Sequence, residues 1–589
     1  MQKKIFGGVR VKYKRSIMII IGLVALIGGI IYISNQNSKT GSGSGDVPGQ
    51  LTLHDTEFPK SFNAYVNPAL DATAVFRLVY DTLIELDPNT LEYRPLIAES
   101  MIVSSDKKAF TFKIDSRAKW SDGKPITVQD VKFTYDTIMN SQNMTSVMRL
   151  YMGRFNPPEI LDKDTIKFSA KTPHFKYLET FARDFFIIPK HLYENKDFNK
   201  DFNMSLPGAS GPYILSEVKE GRYYVLSRRK DYWADQLTGH QGTFNFSRIK
   251  YKIIRDENVA FEAFKKGDFD IFTTASGKRW VTETDSEPFK KNWIVKQKIY
   301  NYLPRGFGGI ALNLRNPLLN NLKVRQALFY LLDRKTMLEK LDYNQFKPLS
   351  SYFSLPDSNH INEIINYDPV KARQLLKEAG FDHLDKDGFL INSKGQRLEF
   401  AISYASDAYE KHLTIFADNC KQAGVKVNLE LLSWATLIKK MDEYKFDAVV
   451  IFWSNDYFPD PAQLWHSKHL NEIGGSNLCG YSNPEVDQLI DSLAPIYDTN
   501  QRNQIIKKID RILYKDTPYL LFWGIDHAPI MYKNVFSMPK TVFPKYFTGS
   551  VKYWRFDLVK YKEYREAVNK RKSLPPVPPE VYYDKEASK

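Results

Sequence analysis

Cysteine is nearly missing: the 589 residues hold only Cys420 and Cys479, with no C-x-x-C pair. No cysteine follows the N-terminal apolar run, which excludes lipid attachment to cysteine there. An oxidising compartment would permit a disulfide, but one pair of cysteines does not establish it. Cys420 lies in "LTIFADNCKQAG", an amphipathic helix pattern, and is expected in a core. Catalytic signatures are missing too. There is no H-E-x-x-H and no Walker lysine loop, and "GSGSG" has glycine where a nucleophile would stand. Neither an enzyme nor a cofactor is expected. His466 and His469 could share a helix face with Glu472, but two lone histidines are more often surface residues than metal ligands. "LDKDGF" (384–389) begins like a calcium loop, lacks its third acid and distal glutamate, and reads as a hairpin turn.

What is present is a large globular chain, 43% hydrophobic and 14% aromatic, long enough for roughly two to four domains. The formal charge of +15 sits mainly at the ends. Residues 1–15 carry six basic residues and no acid, and residues 560–589 carry eight basic against five acidic. Together the ends supply +9 and leave +6 for the body, which is no basic groove with interleaved aromatics, so nucleic acid is not an expected partner.

Ile17–Ile33 is 17 residues without a charge, just long enough to span a hydrocarbon core. Its basic flank predicts a cytoplasmic N-terminus, and no A-x-A cleavage site follows. Residues 16–34 are therefore expected to remain as a transmembrane anchor behind a basic cytoplasmic segment, 1–15. Residues 35–50 form a flexible Gly/Ser linker. The body is then expected on the outer side of the cytoplasmic membrane.

In the body, "KAFTFKID" alternates Phe110, Phe112 and Ile114 on one face of a strand. "WSDGKPITVQDVKFTYDTI" follows with an Asp122-Gly123 turn and a helix capped by Thr127. "SGPYILSEVKEGRYYVLSRRKDYW" reads as two strands across a glycine turn. "LKVRQALFYLLDRKTMLEKL" reads as one amphipathic helix of about 18 residues, with Arg325 as a surface ion-pair residue. "DPVKARQLLKEAG" is a second helix, capped by Asp and stopped by Gly. "RLEFAISYA", "GVKVNLELLSW" and "FDAVVIFW" are strands between helices, so the body is α/β. The tail, 558–589, is charged and then Pro-rich, and is expected to be extended or disordered.

Taken in order, "WSDGKPITVQDVKFTYDTI", "GPYIL…GRYYVLSRRKDYW", "AFEAFKKGDFDI", "ALNLRNPLLNNLKVRQALFYLLDR", "FDAVVIFWSNDYFPDP" and "GYSNPEVDQLI…ILYKDTPYLLFW" resemble the extracellular solute-binding proteins, family 5. The resemblance covers about residues 50–557 and is strongest to the Yej-type branch, which takes oligopeptides and microcin C-like peptide nucleotides. It implies a two-lobed periplasmic-binding-protein (flytrap) fold with a third, inserted small domain. Lobe I would comprise 51–95, 205–305 and 525–557, the inserted domain II 96–204, and lobe III 306–524. It also implies an oligopeptide or modified-peptide ligand, and an ABC permease and ATPase as partners. The expected anchor and tail depart from the family pattern, so a tethered sensor or surface-assembly component is the alternative use of such a fold.

"VVIFWSNDYFPDPAQLW" (449–465) leaves a buried strand and at once presents acid beside aromatic rings. Asp456 matches the motif position where peptide-binding relatives hold the ligand's ammonium, and Trp434 and Trp453 match cleft tryptophans. Asn455 and Tyr457 flank Asp456 and complete the expected ligand-binding set. A binder indifferent to side chains should grip the charge that every free peptide shares, using a charge-assisted hydrogen bond. Asp460, between two prolines, reads as a turn or helix-start residue.

Overall fold

A computed structural model of the chain describes residues 49–355 and 362–587. The expected anchor, and the linker up to residue 48, lie outside these residues. Among the described residues no helix is long and apolar enough to cross a membrane.

Two large hydrophobic cores organise the described residues, with a smaller third cluster around Phe261, Phe264 and Phe272. One draws on segments between Leu51 and Ile299 and again between Ala528 and Val581, and the other is built almost entirely from Phe307–Trp523. The chain passes between them twice, through the short segments 300–306 and 524–527. The first body carries three four-stranded sheets. Leu51–Asp55 pairs parallel with Arg248–Ile253, which continues through Tyr223–Arg228 to Tyr213–Lys219. The last two strands form the expected hairpin, turning at Gly221, whose φ of +67° suits glycine. A second sheet orders Ile271–Phe272, Ala528–Lys533, Ile294–Tyr300 and Glu580–Tyr582. The third, antiparallel throughout, joins Ala98–Val103, Ala109–Ile114, Thr165–Ser169 and Glu159–Ile160. Phe110, Phe112 and Ile114 all point into its core, as their alternation predicts. The helix Val128–Met139 starts at Thr127, whose backbone N–H and hydroxyl both donate to the Asp130 carboxylate at 2.9 Å. Trp120 is fully buried.

The second core surrounds one five-stranded sheet, ordered Lys426–Leu431, Glu399–Tyr404, Ala448–Trp453, Phe307–Leu312 and Tyr519–Leu521. Its buried strand Phe307–Leu312 needs glycine: a Cβ on Gly309 would stand 2.1 Å from the Leu520 carbonyl oxygen. Asp368 caps the helix Pro369–Glu378 through the Val370 and Lys371 N–H groups, and "LDKDGF" turns the hairpin between Phe381–Leu384 and Leu390–Asn392. Cys420 and Cys479 are both buried in this core as free thiols.

Three expectations need correction. The single helix over 322–340 is two, Leu322–Tyr330 and Arg334–Lys340, because Asp333 accepts from the Thr336 N–H and starts a new helix. Arg325 is not a surface ion-pair residue. It is 5% exposed and donates to the carbonyls of Leu319, Asn320 and Asp516, closing two helix C-termini. The described part of the tail, 558–587, takes up regular structure. Leu558–Asn569 is a helix capped by Asp557, and Glu580–Tyr582 adds a parallel strand to Ile294–Tyr300. The proline-rich stretch between them is extended, and its carbonyls accept from Gln297 and from the Lys298 N–H. Prolines lack donors but keep acceptors, so this stretch suits an edge whose donors are unfilled.

Candidate ligand-binding site

The site begins where the strand Ala448–Trp453 ends. Trp453 does not reach the cleft: it is 6% exposed, and its indole N–H donates to the Tyr519 hydroxyl at 2.9 Å inside the second core. Its register against Phe307 fixes this, since strand side chains alternate. Trp434 opens a different helix, Trp434–Asp442, and is 40% exposed.

The following residues face the first body. Asn455 donates to the Arg305 carbonyl at 2.7 Å and the Tyr352 carbonyl at 3.3 Å, tying the loop to the crossing segment. Asp456 reaches the helix Tyr177–Arg183 of the first body. Its Oδ2 lies 2.6 Å from Lys176 Nζ and its Oδ1 lies 3.0 Å from Arg183 Nη1. Both cations also hold Glu179, each at 2.5 Å. Tyr457 stacks on Phe547 of the first body, with centroids 5.5 Å apart and planes 17° apart, while Arg183 lies over its ring. Phe458 is buried against Tyr93, and its carbonyl accepts from Lys176 Nζ at 3.2 Å. Asp460 accepts from the Ala462 N–H, consistent with its reading as a helix-start residue.

Two carboxylates and two cations thus form one cluster across the two bodies. Burial alone would raise the Asp456 pKa, but Lys176 and Arg183 outweigh it and hold the group well below the carboxylate range. Burial would lower Lys176 and Arg183, yet Asp456 and Glu179 leave both firmly protonated. Glu179 is more deeply set, and there burial prevails and pushes its pKa up. The Asp456 side chain remains 38% exposed although protein surrounds it, so solvent reaches it at the junction. Arg77 stands nearby, exposed, and donates to the Arg183 carbonyl.

The structure therefore brings Asn455, Asp456 and Tyr457 to the junction of the bodies, puts Trp453 beneath them, and sets Trp434 on another helix. Lys176, Glu179 and Arg183 were missed. Their spacing in "KYLETFAR" puts them on one helix face, the signal that was available. His466 and His469 turn to carboxylates: His469 to Glu472 at 2.9 Å and His466 to Asp487 at 3.3 Å.

Two bodies joined by two short crossings, with charged groups meeting between them, define a two-lobed binding protein. The chain matches the family described as bacterial extracellular solute-binding proteins, family 5 Middle, over residues 92–475, and it belongs to that family. It is 26% identical over 526 residues to "Probable peptide-binding protein YejA" of Agrobacterium fabrum, covering 81% of this chain and 84% of the relative. It is 27% identical to the oligopeptide-binding protein AppA of Bacillus subtilis, covering 85% and 91%. The structure of that AppA in complex with a nonapeptide superposes with a TM-score of 0.67 at 24% identity, covering 86% of this chain and all of the other, which establishes the fold.

Proposed function

We propose that this protein is the extracytoplasmic peptide-binding component of an ABC importer. It encloses an oligopeptide between its two bodies and delivers it to a permease driven by an ATPase. Residues 16–34 hold it to the cytoplasmic membrane as a single-pass anchor, with the binding body facing the periplasm or exterior. Asp456 receives the ligand's N-terminal ammonium, while Asn455 and Tyr457 shape the surrounding wall. The observation that carries this reading is Asp456 itself: a carboxylate on one body engaging an ammonium of the other across the junction. Its chemistry is that of an amine receptor in a closing cleft. Membership of a solute-binding family and its peptide-binding relatives support the ligand class.

Native mass spectrometry of the full chain, extracted in mild detergent, tests the ligand. Co-purifying peptides with free amino termini are expected, and a bound species that is not a peptide contradicts the reading. N-terminal sequencing of the same preparation tests the anchor. A start at residue 1 or 2 is expected, and a mature start between residues 35 and 50 refutes retention.

A further inference from the structure

The Lys176 ammonium has an unusual set of partners. Asp456 Oδ2 lies 2.6 Å away, the Phe458 carbonyl 3.2 Å and Glu179 Oε2 2.5 Å. Three acceptors match the three N–H donors of a primary ammonium. A peptide's N-terminus is also a primary ammonium. The fit to the lysine is imperfect: Glu179 is 3% exposed, and its Oε2 is in ionic contact with Lys176 but receives no aligned hydrogen bond.

We infer that Asp456, Glu179 and the Phe458 carbonyl form the receiving site for the ligand's primary ammonium, and that Lys176 occupies this site in the unliganded protein and yields it to the ligand. The inference rests on the reading of Asp456 as the amine receptor and adds Glu179, Phe458 and Lys176 to it.

Charge supports the exchange. Arg183 bridges the other oxygens of the same carboxylates, at 3.0 Å from Asp456 and 2.5 Å from Glu179. It fixes the two carboxylates relative to each other whether or not Lys176 is present. With Lys176 withdrawn, two carboxylates and one guanidinium leave one net negative charge, which one ammonium neutralises. Asp184 and Arg77, both beside Arg183, offset each other. Replacing one ammonium by another strands no uncompensated charge, which would be costly in a partly desolvated cleft. Lys176 lies at the N-terminal edge of the helix Tyr177–Arg183, so its long side chain can swing out without moving the residues it leaves. Only Lys176 need move.

An internal occupant lowers apparent affinity by the fraction of time that the site is filled. If Lys176 holds it nine-tenths of the time, the loss is about tenfold. The test uses the full-length protein with a random pentapeptide library carrying free amino termini and the same library N-acetylated. Wild type should retain the free library and reject the acetylated one. Lys176→Met should bind the free library about tenfold more tightly and still reject the acetylated one. On unmutated protein, reductive methylation of Lys176, read by mass spectrometry, should rise several-fold when the free library saturates the site. This second readout stands even if Lys176→Met folds poorly. Unchanged or weaker binding by folded Lys176→Met, or unchanged methylation of Lys176 at saturation, overturns the occupant inference while leaving the amine receptor standing. Equal retention of both libraries overturns the receptor itself, and retention of neither overturns the peptide reading.

Discussion

Asp456 and Trp453 sit three residues apart and serve opposite ends of one strand exit. Asp456 faces the junction of the bodies, and Asp456→Asn removes the charge while keeping the shape. Because the carboxylate is 38% exposed, solvent screens part of the interaction, and a loss of about 1–3 kcal/mol in peptide affinity is expected. Calorimetric titration checks it, and an unchanged affinity excludes Asp456 from the site. Trp453 packs inside the second core. Trp453→Phe should cost about 1–3 kcal/mol of stability and leave any ligand-induced fluorescence change of the remaining tryptophans in place. A vanished signal at unchanged stability would return Trp453 to the cleft. Arg325 also departs from the expected role. Lysine cannot span three carbonyls as a guanidinium does, so Arg325→Lys should cost roughly 2–3 kcal/mol in denaturant unfolding.

Elements were legible where local chemistry decides them. Asp368 before a helix, Gly221 in a hairpin and the alternating Phe110-x-Phe112 each carry their own instruction. Two features were hidden because their causes lie far off in sequence. Asp333 looks like an interior residue of one long helix, yet its side chain caps a second, whose Arg334 donates to the Leu349 and Ile365 carbonyls. The tail's strand exists only because Ile294–Tyr300 offers it an edge, where Tyr582 stacks on Tyr300 with centroids 4.4 Å apart. Composition shows the prolines and charges but not that edge. Removing residues 574–589 should therefore lower the thermal midpoint by several degrees and promote self-association through the uncovered strand. A truncated protein that melts and elutes like the full chain contradicts this. The candidate site was half legible on the same grounds: Asp456 and its neighbours are written in one stretch, while Lys176 and Arg183 lie over 270 residues away.

At the scale of the molecule, the buried carboxyls give opposing responses to pH. Burial raises Asp510 to about 6, although it accepts from the Tyr352 N–H and Asn362. The folded state therefore binds that proton more tightly than the unfolded chain, whose aspartates titrate near 4. The stabilisation is fully present below about pH 4 and is lost as pH rises through about 6. Asp456 behaves in the reverse way: its stabilisation is present above the unfolded value and fades as pH falls below it. Asp510→Asn should flatten the decline in stability between about pH 4 and pH 6, and an unchanged slope in denaturant titrations contradicts the assignment.

The proposed function assigns the joined bodies one chemical task, to receive a peptide by its amino terminus. The most direct measurement is a crystal structure of this protein with a free-amine peptide bound. The expected result places the ligand's terminal nitrogen at hydrogen-bonding distance, about 3 Å, from the Asp456 carboxylate, with Lys176 withdrawn. A peptide whose terminal nitrogen lies elsewhere, with the Lys176–Asp456 pair intact, would contradict it.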